Sequence, residues 1–132
     1  MFKLGMTGSS EIITEEQVEA FLEWFQEKTF REFHHGDCVV ADETICNLVK
    51  STLFIVCHPP INSSKRAFCE ADVMLPEKPY LERNRNIVDA VEILIAFPDG
   101  PERIRSGTWS TIRYARKTNV PDILFWPDGT IE

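Results

Sequence analysis

A chain of 132 residues with 43% hydrophobic and 27% charged side chains has the length and composition of one soluble globular domain with a real core. Its formal net charge of −7 repels nucleic acid and anionic membrane, so neither is expected as a partner, although a local basic pocket stays compatible with it. No apolar run approaches a membrane span, and the amino terminus lacks a signal-peptide layout, which makes a cytoplasmic location the expectation.

Phe2 to Met6 reads as a first strand running into Thr7-Gly8-Ser9-Ser10, a small polar turn that lets a ligand approach the backbone. Thr14 opens a helix. Thr14 and Gln17 form a capping-box pattern, Glu15 and Glu16 suit the positive end of the helix dipole, and Val18, Phe21, Leu22 and Phe25 predict one apolar stripe with Trp24 off it. Glu32 to His35 predicts a second strand ending at Gly36-Asp37, and the apolar spacing from Val39 to about Lys50 a second helix. Leu53 to Cys57 is an uninterrupted apolar run, as in an inner parallel strand, and it stops at His58-Pro59-Pro60.

Residues 58 to 79 carry four prolines and the polar run Asn62 to Arg66, with room for a short strand within Ala71 to Leu75; a loop this long is either a binding wall or a surface excursion. Pro79 suits the first turn of a third helix, Tyr80 to Ala90. Val91 to Phe97 then predicts a strand, Thr108 to Lys117 a helix, and Ile123 to Trp126 a last strand closed by Pro127-Asp128-Gly129. This alternation predicts an α/β fold: residues 1–132 as one Rossmann-like three-layer sandwich, a parallel sheet of about five strands with helices on both faces.

In such folds ligands bind beyond the carboxyl ends of the strands, where the strand order reverses. Four segments share that address: Thr7-Gly8-Ser9, His35-Gly36-Asp37, His58-Pro59 and Pro98 to Thr108. Ser106-Gly107-Thr108 opens a helix after a buried strand and a Pro98-Asp99-Gly100 turn. It offers backbone N–H groups, two hydroxyls and a positive dipole end for an anion, with Arg105 beside it; the alternative is an ordinary helix cap by Ser106. Arg85 lies one turn before Asp89 and suits a solvated ion pair, which leaves Arg83, or Asn84 beside it, to reach a ligand. Asp37 either binds ribose hydroxyls or caps the next helix, and Asp42 is a second polar group beneath the pocket. His58 and the loop after it would close over a base, and Trp109 either stacks on that base or packs locally.

The four cysteines, spaced 8, 11 and 12 residues apart, contain no C-x-x-C. His34, His35 and Cys38, or Cys57-His58, could in principle supply ligands, but no strong metal spacing is present; no metal and no cofactor are expected, and the thiols are read as reduced. The dinucleotide and NTPase glycine fingerprints are absent, as is any Ser-His-Asp or Cys-His arrangement arguable from spacing.

RNRNIVDAVEILIAFPDG followed by RSGTWSTIRYA resembles the core of the SLOG superfamily, Rossmann-like nucleotide-binding proteins that include the LOG phosphoribohydrolases and the DNA processing protein DprA. The likeness to DprA-type domains lies in Arg83-Asn84-Arg85 with Ile87, and in Ser106-Gly107 with Thr111-Ile112 and Ala115; Gly36 with Ala41-Asp42 resembles that family's second glycine motif, and Thr7-Gly8-Ser9 its first. The resemblance implies a nucleotide-derived small molecule as ligand, bound by a sensor or sequestering module, and a homodimer or homotetramer. Its alternative implication is a nucleoside 5′-monophosphate N-glycosidase, with Glu82-Arg83 resembling part of the LOG E-R-K motif. Thr111 stands where a LOG enzyme carries its hydrolytic Glu, so a catalytic carboxylate would have to come from Asp37, Asp42 or Glu82.

Overall fold

In the computed structural model, which describes residues 2–132, the elements follow the order β1 (Phe2–Gly8), α1 (Glu15–Phe25), β2 (Phe30–His35), α2 (Ala41–Val49), β3 (Phe54–Cys57), β4 (Val73–Met74), α3 (Tyr80–Ala90), β5 (Ile93–Phe97), α4 (Gly107–Lys117) and β6 (Asp122–Leu124). All strands pair in parallel in the order β4-β3-β2-β1-β5-β6. The sixth strand beyond the five expected is the two-residue edge β4, which falls inside the Ala71–Leu75 segment. From β1 the chain winds outward through β2, β3 and β4, then returns to the other side of β1 to form β5 and β6. The order therefore reverses between β1 and β5, where Gly8 lies beside Phe97.

Strand alternation distributes the core over two layers. Leu4, Met6, Phe33, Ile55, Ile95 and Phe97 point to one face, where Phe21 of α1 and Ala41, Ile45 and Val49 of α2 cover them. On the opposite face Leu94 packs with Ile87, Val88 and Ala115, and Ala96 with Trp109, Ile112 and Leu124, so α3 and α4 form the third layer. Phe21 is the aromatic centre of the first layer, stacked on Phe25 at 5.2 Å and edge-on to Phe97 and Phe125 at 5.9 and 6.0 Å.

The apolar stripe of α1 differs from the expected one. Leu22 is exposed, whereas fully buried Gln17 and Phe21 and partly buried Trp24 and Phe25 face the sheet. The capping box is the reason. Gln17 Oε1 accepts the Thr14 N–H at 2.9 Å while its Nε2 donates to the carbonyls of Pro98 and Phe125 at 2.9 and 2.8 Å. One side chain thus closes the helix start and ties it to the ends of β5 and β6, which turns the stripe toward residue 17.

Candidate functional site

A cleft of about 470 Å³ opens at the carboxyl ends of β1, β2 and β5, over the reversal in strand order. Its first wall is the turn after β1. Thr7, Gly8, Ser9 and Ser10 line it, and a Cβ on Gly8 would lie 2.6 Å from the Ala41 Cβ, so only glycine lets β1 end directly against the start of α2. Ser9 Oγ donates to Asp99 Oδ2 at 3.0 Å and accepts the N–H of Glu11 at 2.9 Å, which joins the ends of β1 and β5. Arg103, 2.8 Å from Asp99, holds that carboxyl below its usual range; burial opposes this and Ser9 assists it.

The opposite wall is the start of α4. Ser106 Oγ accepts the Trp109 N–H at 3.2 Å, while the N–H groups of Gly107 and Thr108 have no hydrogen-bond partner among the described residues. Arg105 lines the same wall and pairs with no carboxylate among them. Asn62, Ser64 and Lys65, from the loop after β3, close another side, with Lys65 on Glu11 at 2.9 Å. That loop is a wall of the cleft rather than a surface excursion.

The floor is built around Arg83, which is only 4% exposed although no carboxylate among the described residues pairs with it. Its Nη1 donates to the carbonyls of Gly36 and, at 3.2 Å, of His58; its Nε donates to Asn84 Oδ1 at 2.7 Å, and the guanidinium lies 5.4 Å over the Tyr80 ring. Gly36 leaves room for this contact: a Cβ there would sit 2.5 Å from Nη1, and the guanidinium would have to shift. Beside it, Asp42 Oδ2 accepts the N–H groups of Gly36 and Cys38 at 2.9 and 3.3 Å. Burial pushes the Asp42 carboxyl above its usual range, against the pull of His35, Arg83 and the two N–H groups. The turn before α2 is strained, because Val40, a β-branched residue, has φ of 73°.

Of the residues expected at the site, Thr7, Gly8, Ser9, Gly36, Arg83, Asn84, Arg105, Ser106, Gly107 and Thr108 line this cleft. Six others do not. His35 and Asp37 are fully buried beneath it. His35 shares the core face of β2 with Phe33, on whose ring it stacks at 5.8 Å, and Asp37 is held by Arg66 at 2.8 Å and the Cys69 N–H at 2.9 Å. Glu82 is exposed, 3.9 Å from Lys78. Pro98 gives its carbonyl to Gln17. Trp109 donates to the Gly100 carbonyl at 3.2 Å and packs on Trp126 at 5.7 Å in a separate groove, the local packing alternative. Arg85 stacks over Tyr114, whose hydroxyl donates to Asp89 at 2.8 Å, in place of the expected Arg85–Asp89 pair. Sequence reasoning passed over Asp99, Arg103, Lys65 and Tyr80 as cleft residues. The first two belonged to a turn already singled out, which was a usable signal.

His58 contributes its carbonyl to Arg83 and turns its ring away, onto His34 at 2.8 Å; His34 in turn meets Glu32 at 3.0 Å. Burial first, then the charges of His34, His35 and Arg83, press the His58 pKa down to about 3. The folded state keeps this ring neutral while the unfolded chain protonates near 6.5, so stability falls as pH drops below 6.5. Between pH 6.5 and 5 His58 should contribute about 2 kcal/mol to this loss, read by urea denaturation as the difference in slope between the wild type and His58→Gln. His34, whose pKa burial lowers, acts in the same sense as His58, and His35, whose pKa Cys46, Asp42 and Asp37 raise against burial, acts in the opposite one; both rings remain in His58→Gln.

Ligand atoms of His35, Asp37 and Cys57 lie within 4.8 Å of one another in the buried layer beneath the cleft. Nδ1 of His35 accepts the Asp37 N–H at 2.9 Å and the two Asp37 oxygens take Arg66 and the Cys69 N–H, while His35 Nε2 is buried without a hydrogen-bond partner among the described residues. The arrangement is that of a hydrogen-bonded core network under the loop.

No family model matches the chain, and no curated protein matches it. Among solved structures it is similar to DNA processing protein A from Helicobacter pylori. The TM-score is 0.64 at 13% identity, over 93% of this chain and 64% of that one, so the chain spans just under two thirds of that protein's length. At this identity the likeness shows the fold, and it agrees with the DprA side of the sequence resemblance. It also corrects one expectation. The Helicobacter protein is described by its mode of binding single-stranded DNA. A net charge of −7 is therefore no ground for excluding nucleic acid from this fold. The reason is local: four basic side chains, Lys65, Arg83, Arg103 and Arg105, line the cleft against three acidic ones, whatever the charge elsewhere. No helix among the described residues is long and apolar enough to cross a membrane.

Proposed function

We propose that the cleft binds a nucleotide-derived, phosphate-bearing small molecule, and that the protein acts as a sensor or sequestering module for it. The observation that carries this reading is the start of α4, where two unpartnered N–H groups, the Thr108 hydroxyl and Arg105 face a volume the size of a nucleotide. A phosphate there would gain charge-assisted hydrogen bonds at a dipole end already aimed at it. Arg83 supports the floor through backbone carbonyls, and no carboxylate among the described residues lies within salt-bridge distance of it.

A second reading has its own support. A single-stranded nucleic acid offers the same phosphate–sugar unit, and a protein of this fold binds single-stranded DNA. The N-glycosidase reading has less: Asp37 and Glu82 are outside the cleft, and Thr111 spends its hydroxyl on the Gly107 carbonyl at 2.7 Å. Asp42 is the nominated carboxylate that does line the cleft.

Thermal denaturation with nucleoside monophosphates, inorganic phosphate and a short single-stranded oligonucleotide tests the proposal. A ligand at 100 times its Kd adds about 2.7 kcal/mol. A shift with the mononucleotides supports the small-molecule reading, and one confined to the oligonucleotide supports the second. Free base released during incubation would move the function to the N-glycosidase. No shift with any phosphate-bearing ligand would sink the proposal.

A further inference from the structure

Asp42 poses a problem that the phosphate alone does not solve. A carboxylate at the floor of an anion-binding cleft has the wrong sign for its ligand. It is nevertheless built in: Asp42 is 4% exposed, sits in the first turn of α2, and has Oδ2 doubly held by the Gly36 and Cys38 N–H groups. Its other oxygen, Oδ1, has no hydrogen-bond partner among the described residues. Arg83 does not satisfy it, because the guanidinium is committed to the carbonyls of Gly36 and His58 and to Asn84. Among the described residues His35 Nε2 is the side-chain atom fully buried without a partner, so Oδ1 keeps access to the cleft that Asp42 lines, where a bound donor can reach it.

We infer that Asp42 is the specificity-determining residue of the cleft, its free Oδ1 accepting hydrogen bonds from the vicinal hydroxyls of a ribose. The inference rests on the proposed nucleotide reading. Burial favours the neutral acid, but His35, Arg83 and the two N–H groups favour the carboxylate, and in that form Asp42 is an acceptor only, which selects a donor group and repels phosphate. A nucleotide carries two kinds of donor, sugar hydroxyls and base amines. Among the described residues Tyr80 is the one aromatic side chain lining the cleft; it stands at the rim, 36% exposed, with the Arg83 guanidinium over one face of its ring. A base therefore finds its stacking partner at the rim, and the sugar is left for the floor. The ligand is ordered as phosphate at Gly107 and Thr108, ribose over Asp42, base beside Tyr80.

Isothermal titration of the four nucleoside 5′-monophosphates, each as the ribose and the 2′,3′-dideoxyribose form, with inorganic phosphate as a third ligand, tests this. The wild type should bind the best ribonucleotide at least about tenfold more tightly than its dideoxy form, as expected for a hydrogen bond to a charged acceptor. Asp42→Asn keeps an oxygen for the Gly36 and Cys38 N–H groups and turns an amide donor toward the ligand. It should collapse that ratio below about threefold while inorganic phosphate binds as well or better. Asp42→Ser serves if the Asn variant does not fold. Equal binding of ribo and dideoxy forms by the wild type would overturn the inference and leave the phosphate reading standing. So would a ribose preference that survives in a folded variant. No binding of any ligand, inorganic phosphate included, would overturn both.

Discussion

Gly107→Glu is expected to leave the protein as stable as the wild type, or slightly more so, and to abolish binding of phosphate-bearing ligands. A Cβ on Gly107 meets nothing closer than the Asn84 amide at 4.0 Å, so the larger side chain has room. Position 107 is the first residue of α4, where a carboxylate faces the positive end of the dipole and adds about 0.3–1 kcal/mol. The same carboxylate occupies the N–H groups and cancels the charge on which the proposed phosphate site depends. Thermal denaturation should show an unchanged or raised Tm, and titration should show affinity reduced by about a hundredfold or more, the equivalent of about 2.7 kcal/mol. Undiminished binding by this variant would remove α4 from the site. The separation of the two readouts gives the experiment its force, because a variant that merely unfolds cannot produce it.

Arg83→Ala should do the reverse and damage the fold first. The side chain is buried, and its loss leaves the carbonyls of Gly36 and His58 and the Asn84 amide oxygen without their donor. Each buried acceptor left unpaired costs about 1–3 kcal/mol, and the lost packing of the alkyl stem adds to that, so a total of about 3–4 kcal/mol is expected in urea denaturation. Arg83→Lys should recover less than half of it, since one ammonium on a flexible stem cannot reach three acceptors set around a planar fork. Gly36→Ala attacks the same contact from the other side. A Cβ within 2.5 Å of Nη1 must displace the guanidinium, at about 1–3 kcal/mol. Because both changes break one contact, their effects should combine to clearly less than their sum. Additive losses would show that Gly36 and Arg83 act independently.

Much of this architecture is legible in the chain because local chemistry and global fold agree. Thr14 and Gln17 announce the start of α1; LFIVC and ILIAF are apolar throughout, as strands covered on both faces must be; Ser106 caps α4 as its position suggests. What failed was the direction of individual side chains. His35 and Asp37 flank Gly36 at a strand end that does reach the cleft, yet both point beneath it. The alternation of β2 held a clue, because Phe33 faces the core and a residue two positions on must face it too. Asp37 had no such signal. Its left-handed backbone, φ 60°, and its pairing with Arg66 across 29 positions are set by how the loop after β3 folds back. In α1 the stripe through Val18 and Leu22 fitted helical spacing, but buried Gln17 anchored the helix to Pro98 and Phe125 and rotated it.

The amino-acid sequence by itself determined the alternating elements, the parallel sheet and the set of loops that reach its carboxyl edge, because periodicity, caps and glycine turns act within a few residues. Only the tertiary structure decided which loop residues meet. Arg83 under Gly36 and Lys65 across from the turn after β1 are products of contacts between segments tens of residues apart. Such contacts depend on strand order and on the path of a proline-rich loop, which no local pattern encodes.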